Sequence, residues 1–420
     1  MNGEELFYQR GGGSKKAFSM VVEAEKALKG QFSAFEETAF LNQQKVLCAF
    51  EANEIAIRHF APSTGYGYGD EGRDMLERLF ANVFCAEDAL VRPQIVSGTH
   101  AIALSLQGIL HTGDIMVSGT GKPYDTMEQV IGISGEAPGS LKNMGVEYRQ
   151  VELLNGALDI PAILAHTKDA TVLFLQRSRG YEWREALLLT QMKQCIAQVK
   201  AQNPACVVVV DNCYGEFTEV FEPLEMGADI IAGSLIKNPG GGIAPTGGYI
   251  AGKSALVDEI AQRLTCPGLG KEVGSYAQSY APFYQGFFLA PHVVCQSLKG
   301  ATLFSKVFEM LGYETLPAST AHRGDIIQSV RLQSEEQLIA LCRAIQKASP
   351  VDSHVTPYPW DMPGYQHQVI MAAGAFVEGA SLELSADAPI KKPYTAYIQG
   401  GLTYEHCKLA VLRVLSSLID

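Results

Sequence analysis

The sequence has no excess of positive charge. Its 420 residues carry 33 Lys and Arg against 45 Asp and Glu, a formal net charge of −12. Such a chain repels nucleic acid and anionic membranes unless its basic residues cluster. Lys391 and Lys392 form only a short pair, and Lys15 and Lys16 sit in a polar stretch, so neither kind of partner is expected. Long hydrophobic runs are also missing. None reaches the roughly 18 residues that a spanning helix needs: "CVVVV" reads as a buried strand, and "GFFLAPHVVC" is too short. The opening "MNGEELFYQRGGGS" carries acids early and has no apolar core, so no signal peptide is expected. The nine cysteines contain no CxxC pair, and their odd number in a large chain predicts reduced thiols in a cytoplasm. His100, His322, His354 and His367 are dispersed, so no metal site is predicted. There is no internal repeat, and the only low-complexity tract is the glycine run at 11–13.

What is present is apolar residue in quantity and in order. A chain of 420 residues that is 47% hydrophobic can bury a large core and exceeds the usual size of one domain. Residues 16 to 60 have apolar positions at helical spacing. "HFAPSTGYGYGDEGR" breaks that pattern and opens into a helix, "DMLERLFANVF". From about residue 90 short apolar runs alternate with helical patterns: "GDIMVSG", "DATVLFLQR", "ACVVVVDN", "ADIIAGSLI" and "TGGYIAG". Strands that are apolar on both faces predict an α/β fold, with a mostly parallel sheet covered by helices. A Gly-, Pro- and Tyr-rich connection follows residue 260 and leads to a long helix at roughly 287 to 312. Beyond it, "GDIIQSVRL", "HQVIMAAGAF" and "ASLELS" as strands, with "SEEQLIALCRAIQKA" and "TYEHCKLAVLRVLSSLI" as helices, predict a smaller α+β domain. The expected division is an N-terminal helical segment at 1–60, a large domain at 61–290, and a linking helix with the small domain at 291–420.

Ligand loops in such sheets lie beyond the carboxyl ends of the strands, and four features fall there. Lys237 follows "IIAGSLI". A partly desolvated lysine serves as nucleophile or base, most often as a Schiff base to a carbonyl cofactor; the plain alternative is a lysine at a strand end. Asp211 ends "ACVVVVD"; it either meets a pyridinium nitrogen, caps a helix or binds a metal. Gly98 and Thr99 open the helix after "VSG", and Ser234 lies three residues before Lys237. Together they could hold a phosphate, or Gly98 and Thr99 could simply begin a helix. Tyr124, just after a strand, could stack on a flat ring or belong to the core. The glycines of "NPGGGIAPTGG" suit the rim of a buried ligand or a contact with another subunit, and Pro239 argues against a helix starting at Lys237.

These positions together resemble the fold-type I pyridoxal-phosphate enzymes. The segments "GYGYGDEGR", "ALVRPQIVSGTHAI", "LQRSRGYEWR", "VVVDNCYGEF", "SLIKNPGGGIAPTGGYIAG" and "HRGDIIQSV", spread over residues 60 to 400, resemble the methionine gamma-lyase or aluminium resistance family. That family is related to the cystathionine lyases and synthases. The resemblance implies a seven-stranded sheet in the large domain and pyridoxal 5'-phosphate as cofactor. Lys237 becomes the Schiff-base lysine, Asp211 the partner of the pyridine nitrogen, and Gly98, Thr99 and Ser234 the phosphate site, with Tyr124 as the stacking aromatic. It also implies a homodimer or homotetramer with active sites at the subunit interface, where Tyr66 or Tyr68 with Arg73 would reach the neighbour's phosphate. The reaction implied is elimination of a thiol from a sulfur amino acid; thiol replacement and a weakly active cofactor-binding regulator are the alternatives. The lyases bind the substrate carboxylate with an arginine near the chain end. The comparable "YIQGGLTYEH" has none, which leaves Arg177, Arg179 or Arg323 for that task.

Overall fold

The structure, a computed structural model, describes residues 14–135, 137–362, 367–379 and 381–419. The glycine run at 11–13 lies outside them. Ser14 caps the first helix by accepting the Ala17 amide at 3.2 Å. Helix α1 (Lys15–Ala52) then continues unbroken for 38 residues, and one short 3-10 turn, Ile57–Phe60, completes the segment read as helical. Its early apolar residues Ala17, Val21, Ala24 and Leu28 join the core of the C-terminal sheet, while Val46 and Ala49 join the core of the large sheet. A single helix therefore ties the two cores together.

The next elements alternate. They are α2 (Glu71–Val83), β1 (Asp88–Arg92), α3 (Gly98–Ile109), β2 (Ile115–Ser118), α4 (Asp125–Ile131), β3 (Glu147–Gln150), α5 (Ile160–Thr167), β4 (Val172–Gln176), α6 (Leu189–Gln202), β5 (Val207–Asp211), β6 (Ile230–Ser234), β7 (Gly248–Gly252) and α7 (Ser254–Leu264). The seven strands form one sheet in the order β1-β7-β6-β5-β4-β2-β3. All neighbours are parallel except β7, which runs against both β1 and β6. β6 returns to β7 through the glycine-rich segment 235–247, which holds one 3-10 turn and no crossover helix of the kind that joins parallel strands. Every residue of β4 and β6 is buried, as strands covered by helices on both faces require.

Helix α8 (Ala281–Met310) links to the second sheet. It starts six residues earlier than the periodicity alone suggests, because Pro282 fits the first turn, where no amide hydrogen is needed. The remaining elements are β8 (Glu314–Leu316), β9 (Ile327–Arg331), α9 (Glu335–Ala348), β10 (Val369–Ala372), β11 (Ser385–Pro389), β12 (Thr395–Gln399) and α10 (Tyr404–Ile419). They build an antiparallel sheet, β10-β11-β12-β9-β8, backed by helices. The strand expected in "ASLELS" forms one segment later, as β11. Leu382 instead donates its amide to the Ile236 carbonyl at 3.1 Å, and the Glu383 carboxylate accepts the Phe376 and Val377 amides at 3.0 and 2.8 Å. That stretch is thus a buried loop packed against the segment that carries Lys237.

The glycines after Lys237 face the chain's own α8. A Cβ on Gly240 or Gly241 would meet backbone within 1.7 and 2.2 Å, and one on Gly286 of α8 would meet the Gly240 carbonyl at 2.1 Å. Backbone lies on backbone here, and Gly241 adds a left-handed φ of 56°. No α-helix starts at Lys237; a single 3-10 turn, Asn238–Gly240, does, with Pro239 in its first turn.

Candidate active site

The carboxyl ends of β4, β5 and β6 lie side by side, with Gln176 opposite Asp211 and Asp211 opposite Ala232. Two residues past β6, the chain turns so that Lys237 enters a cavity of about 280 Å³ between this sheet and the C-terminal one. Asp211, Cys213, Tyr214, Tyr124 and Gln176 line it with Lys237, and Ile327, Val369, Asp387, Pro389, Tyr397 and Gln399 come from the other side. Lys237 Nζ sits 3.9 Å from the centre of the Tyr214 ring, a cation–π distance. Tyr214 holds a left-handed φ of 66°, a local cost accepted where the chain turns beneath the lysine. Asp211 Oδ1 accepts the Cys213 amide at 3.0 Å.

The electrostatics couple these groups. Burial pushes the Asp211 carboxyl up, and Lys237 opposes that push. Burial alone would pull the Lys237 ammonium down, and negative charge on the groups around it, of which Asp211 is the ordinary anion at neutral pH, holds it above the ordinary lysine value. Burial also raises the Cys213 thiol and the Tyr214 and Tyr124 phenols, so these are uncharged at neutral pH. The Asp211 carboxylate is then the counter-charge for Lys237.

Tyr124 stands immediately before α4. Its amide donates to Gln176 Oε1 at 3.0 Å, and its hydroxyl shares a 2.6 Å hydrogen bond with Thr99 Oγ1. Thr99 Oγ1 also lies 3.2 Å from Thr126 Oγ1. Gly98 is the first residue of α3, with Ser97 capping the helix through the His100 amide at 3.1 Å. A Cβ at Gly98 would meet Cys213 Sγ at 3.0 Å and Ser234 Cβ at 3.3 Å. The structure thus brings Gly98 against Ser234, and Thr99 against Tyr124. Tyr66, Tyr68 and Arg73 stand apart from the cavity lining. Tyr66 and Tyr68 are 77% and 62% exposed, and Arg73 is buried beneath their loop, donating to the Gly67 carbonyl at 2.8 Å.

A family model described as methionine gamma-lyase matches residues 17–419. The chain belongs to the methionine gamma-lyase family. The YnbB protein of Bacillus subtilis is 50% identical over 408 residues, 96% of either chain. A carbon-sulfur lyase involved in aluminum resistance from Clostridium novyi superposes with a TM-score of 0.96 at 45% identity, covering 100% of both chains. A Listeria monocytogenes protein involved in aluminum resistance gives 0.94 at 51% identity, covering 96% of this chain and 100% of that one. The methionine gamma-lyase and aluminium resistance chains share the fold-type I pyridoxal-phosphate architecture seen here, a seven-stranded mixed sheet with a smaller antiparallel domain.

Within this family member, the arginines separate by position. Arg177 is fully buried and paired with Glu219 at 2.8 Å and Glu222 at 3.7 Å, away from the cavity lining. Arg323 is also buried outside that lining; its guanidinium donates to Gln328 Oε1 at 2.5 Å, and burial beside Arg179 pushes it down to about 9. Arg179 does line the cavity, but Asp325 neutralises it at 3.2 Å. The residue that sequence reasoning passed over is Arg184. It lines the cavity, and its guanidinium donates only to the carbonyls of Glu185 (3.0 Å), Gln176 (3.1 Å) and Ser178 (2.6 Å), with no carboxylate in contact among the described residues. Burial pushes it down to about 10, so it stays cationic at neutral pH. It lies inside "LQRSRGYEWR", where four residues separate it from Arg179 and nothing in the spacing tells the paired cation from the open one. Asp387, on the opposite wall, was missed because it lies in a short strand of small residues, "SADAP". Among the described residues no group of His, Cys, Asp and Glu suits a metal ion, and no helix is long and apolar enough to cross a membrane.

Proposed function

We propose that the chain is a pyridoxal-phosphate-dependent carbon–sulfur lyase that eliminates a thiol from the β or γ position of a sulfur amino acid, leaving a 2-oxo acid and ammonia. The observation that carries this is the pair of half-buried Lys237 and buried Asp211, just beyond and at the carboxyl ends of adjacent strands and facing one cavity. The residues fit the cofactor. Lys237 would hold its aldehyde carbon, Asp211 its ring nitrogen, and Tyr124 its ring face, while the start of α3 at Gly98 and Thr99, packed against Ser234 at the end of β6, would hold its phosphate through backbone amides and hydroxyls. When bound, this group supplies an electron sink for the carbanion formed at the substrate Cα.

The chain's own groups do the remaining work. With a pyridinium nitrogen as its partner, Asp211 would no longer need Lys237 as counter-charge, and burial would then favour a neutral, nucleophilic Lys237 amine. Lys237 Nζ, as a free amine, would take the proton from the substrate Cα. Arg184 receives the substrate carboxylate, because it is the cavity guanidinium that no carboxylate of the chain contacts. Tyr66 and Tyr68 suit contact with a neighbouring subunit of a homo-oligomer, as their exposure leaves both rings available.

Borohydride reduction of the cofactor-loaded protein, followed by peptide mass mapping, tests the attachment: Lys237 carries the added mass, and an unmodified Lys237 removes the reading. Assays for thiol and 2-oxo acid with cystathionine, cysteine and methionine test the reaction, and silence across that panel removes the lyase assignment while leaving the cofactor assignment standing.

A further inference from the structure

The cavity wall opposite Lys237 contains a carboxylate that the chemistry above does not use. Along β11 and β12 alternate residues face opposite ways. Ala386, Ala388, Ala396 and Ile398 enter the helix-backed core, while Asp387, Pro389, Tyr397 and Gln399 line the cavity. Asp387 lies mid-strand, in register with Met371 on one side and Tyr397 on the other. It is only 6% exposed, and its Oδ1 has no hydrogen-bond partner. The Tyr181 side chain hydrogen-bonds the carboxylate, and Lys237 is the cation whose field it feels across the cavity. Asp387 caps no helix and pairs with no arginine; Arg179 is already taken by Asp325.

A buried carboxylate oxygen accepts hydrogen bonds and cannot donate them once ionised. A substrate that ends in a methyl thioether would press carbon against it and leave it unsatisfied. A substrate whose side chain ends in an ammonium group would supply both the missing donor and the missing charge. We propose that Asp387 is a specificity-determining residue that receives an amine at the side-chain end of the substrate, so that the preferred substrate class is a thioether amino acid bearing a second, distal ammonium group. This rests on the lyase reading for the reaction and on the cavity geometry for the selection.

The test separates the two. Binding to the cofactor-loaded protein is measured calorimetrically with L-lysine and L-2-aminoheptanoate, which differ in the terminal ammonium and have no leaving group. Turnover is measured with their sulfur counterparts, S-(2-aminoethyl)-L-cysteine and S-propyl-L-cysteine. The wild type is expected to prefer the amine by about tenfold or more in Kd and in kcat/KM, the scale of one charge-assisted hydrogen bond. In Asp387→Asn and Asp387→Ser the preference shrinks to about twofold or less, with the cofactor absorbance unchanged. An equal or tighter fit of L-2-aminoheptanoate to the wild type overturns the assignment, as does a preference that survives in either folded variant. If neither sulfur compound releases a thiol, and cystathionine, cysteine and methionine are silent too, the lyase reading fails while the binding preference still decides the role of Asp387.

Discussion

The wall formed by the ends of β4, β5 and β6 and the wall formed by β10, β11 and β12 differ in how their charges are satisfied. On the first, Lys237 and Asp211 offset each other, and Tyr214 lies under the ammonium. On the second, Asp387 has an oxygen with no hydrogen-bond partner among the described residues. A charge that is answered inside the protein can be held in readiness for a cofactor that replaces its partner. A charge left open selects what enters. On the proposed reading the first wall carries the reaction and the second the choice of substrate, and each prediction below breaks or sharpens that division.

Removing the lysine has the largest effect. Lys237→Ala deletes both the attachment point and the base, so turnover falls to background and borohydride adds no mass. Asp211→Asn keeps the shape of the first wall and removes its charge. Loss of one preorganised electrostatic partner costs on the order of 10²–10³ in kcat, and rates measured under cofactor saturation check that the loss is in turnover and not in loading. A change below tenfold would place the electronic role of Asp211 elsewhere.

The second wall has a signature in stability. Burial lifts the Asp387 carboxyl from 3.8 to about 6. Across that interval the folded chain keeps a proton that the unfolded chain has lost, so the ionising group lowers stability progressively as pH rises from about 4 to about 6. Asp387→Asn removes the titration. The variant should match the wild type near pH 4 and exceed it above pH 6 by up to about 3 kcal/mol, read as a difference in Tm that grows over that range and then stays level. A constant difference would mean that Asp387 does not titrate there.

The two cavity arginines sharpen the same contrast between answered and open charge. Arg184 donates only to carbonyls, whereas Arg179 is locked to Asp325. Arg184→Lys keeps a cation and loses the planar fork, so KM should rise by about 10- to 100-fold with Tm little changed. Arg179→Lys instead disturbs a buried ion pair and should lower Tm more than it raises KM. If the two variants exchanged these phenotypes, Arg179 would be the carboxylate receiver.

The first wall was legible in the sequence because strand ends mark its residues. A run such as "ACVVVVD" points to Asp211 by its own hydrophobicity, and the apolar stretch before Lys237 does the same. The mostly parallel sense of the large sheet follows from the same fully buried runs, whereas its strand order does not. The second wall was not legible. Asp387 sits in "SADAP", a strand with small residues and no apolar alternation to announce it, and β12 is equally modest. The short edge strands β3 and β8 were missed because four and three residues carry little periodic signal. Arg184 was hidden by its neighbours, since Arg177, Arg179 and Arg184 read alike until the fold gives two of them carboxylates.

The smallest effect on the isolated fold belongs to the exposed loop. Tyr66 and Tyr68 make a tilted ring pair at 5.9 Å and are otherwise open to solvent, while Arg73 holds the loop from beneath through the Gly67 carbonyl. Nothing in the protomer depends on either hydroxyl, so Tyr66→Phe and Tyr68→Phe should each shift stability by about 0.5 kcal/mol or less. If the loop serves a neighbouring subunit's phosphate site, one of the two variants should nonetheless release the cofactor more readily on dialysis, and the loss should deepen on dilution as the assembly dissociates. Cofactor retention equal to wild type in both variants, at every protein concentration, would confine the site to the two walls of one chain and make the comparison between them complete without a partner.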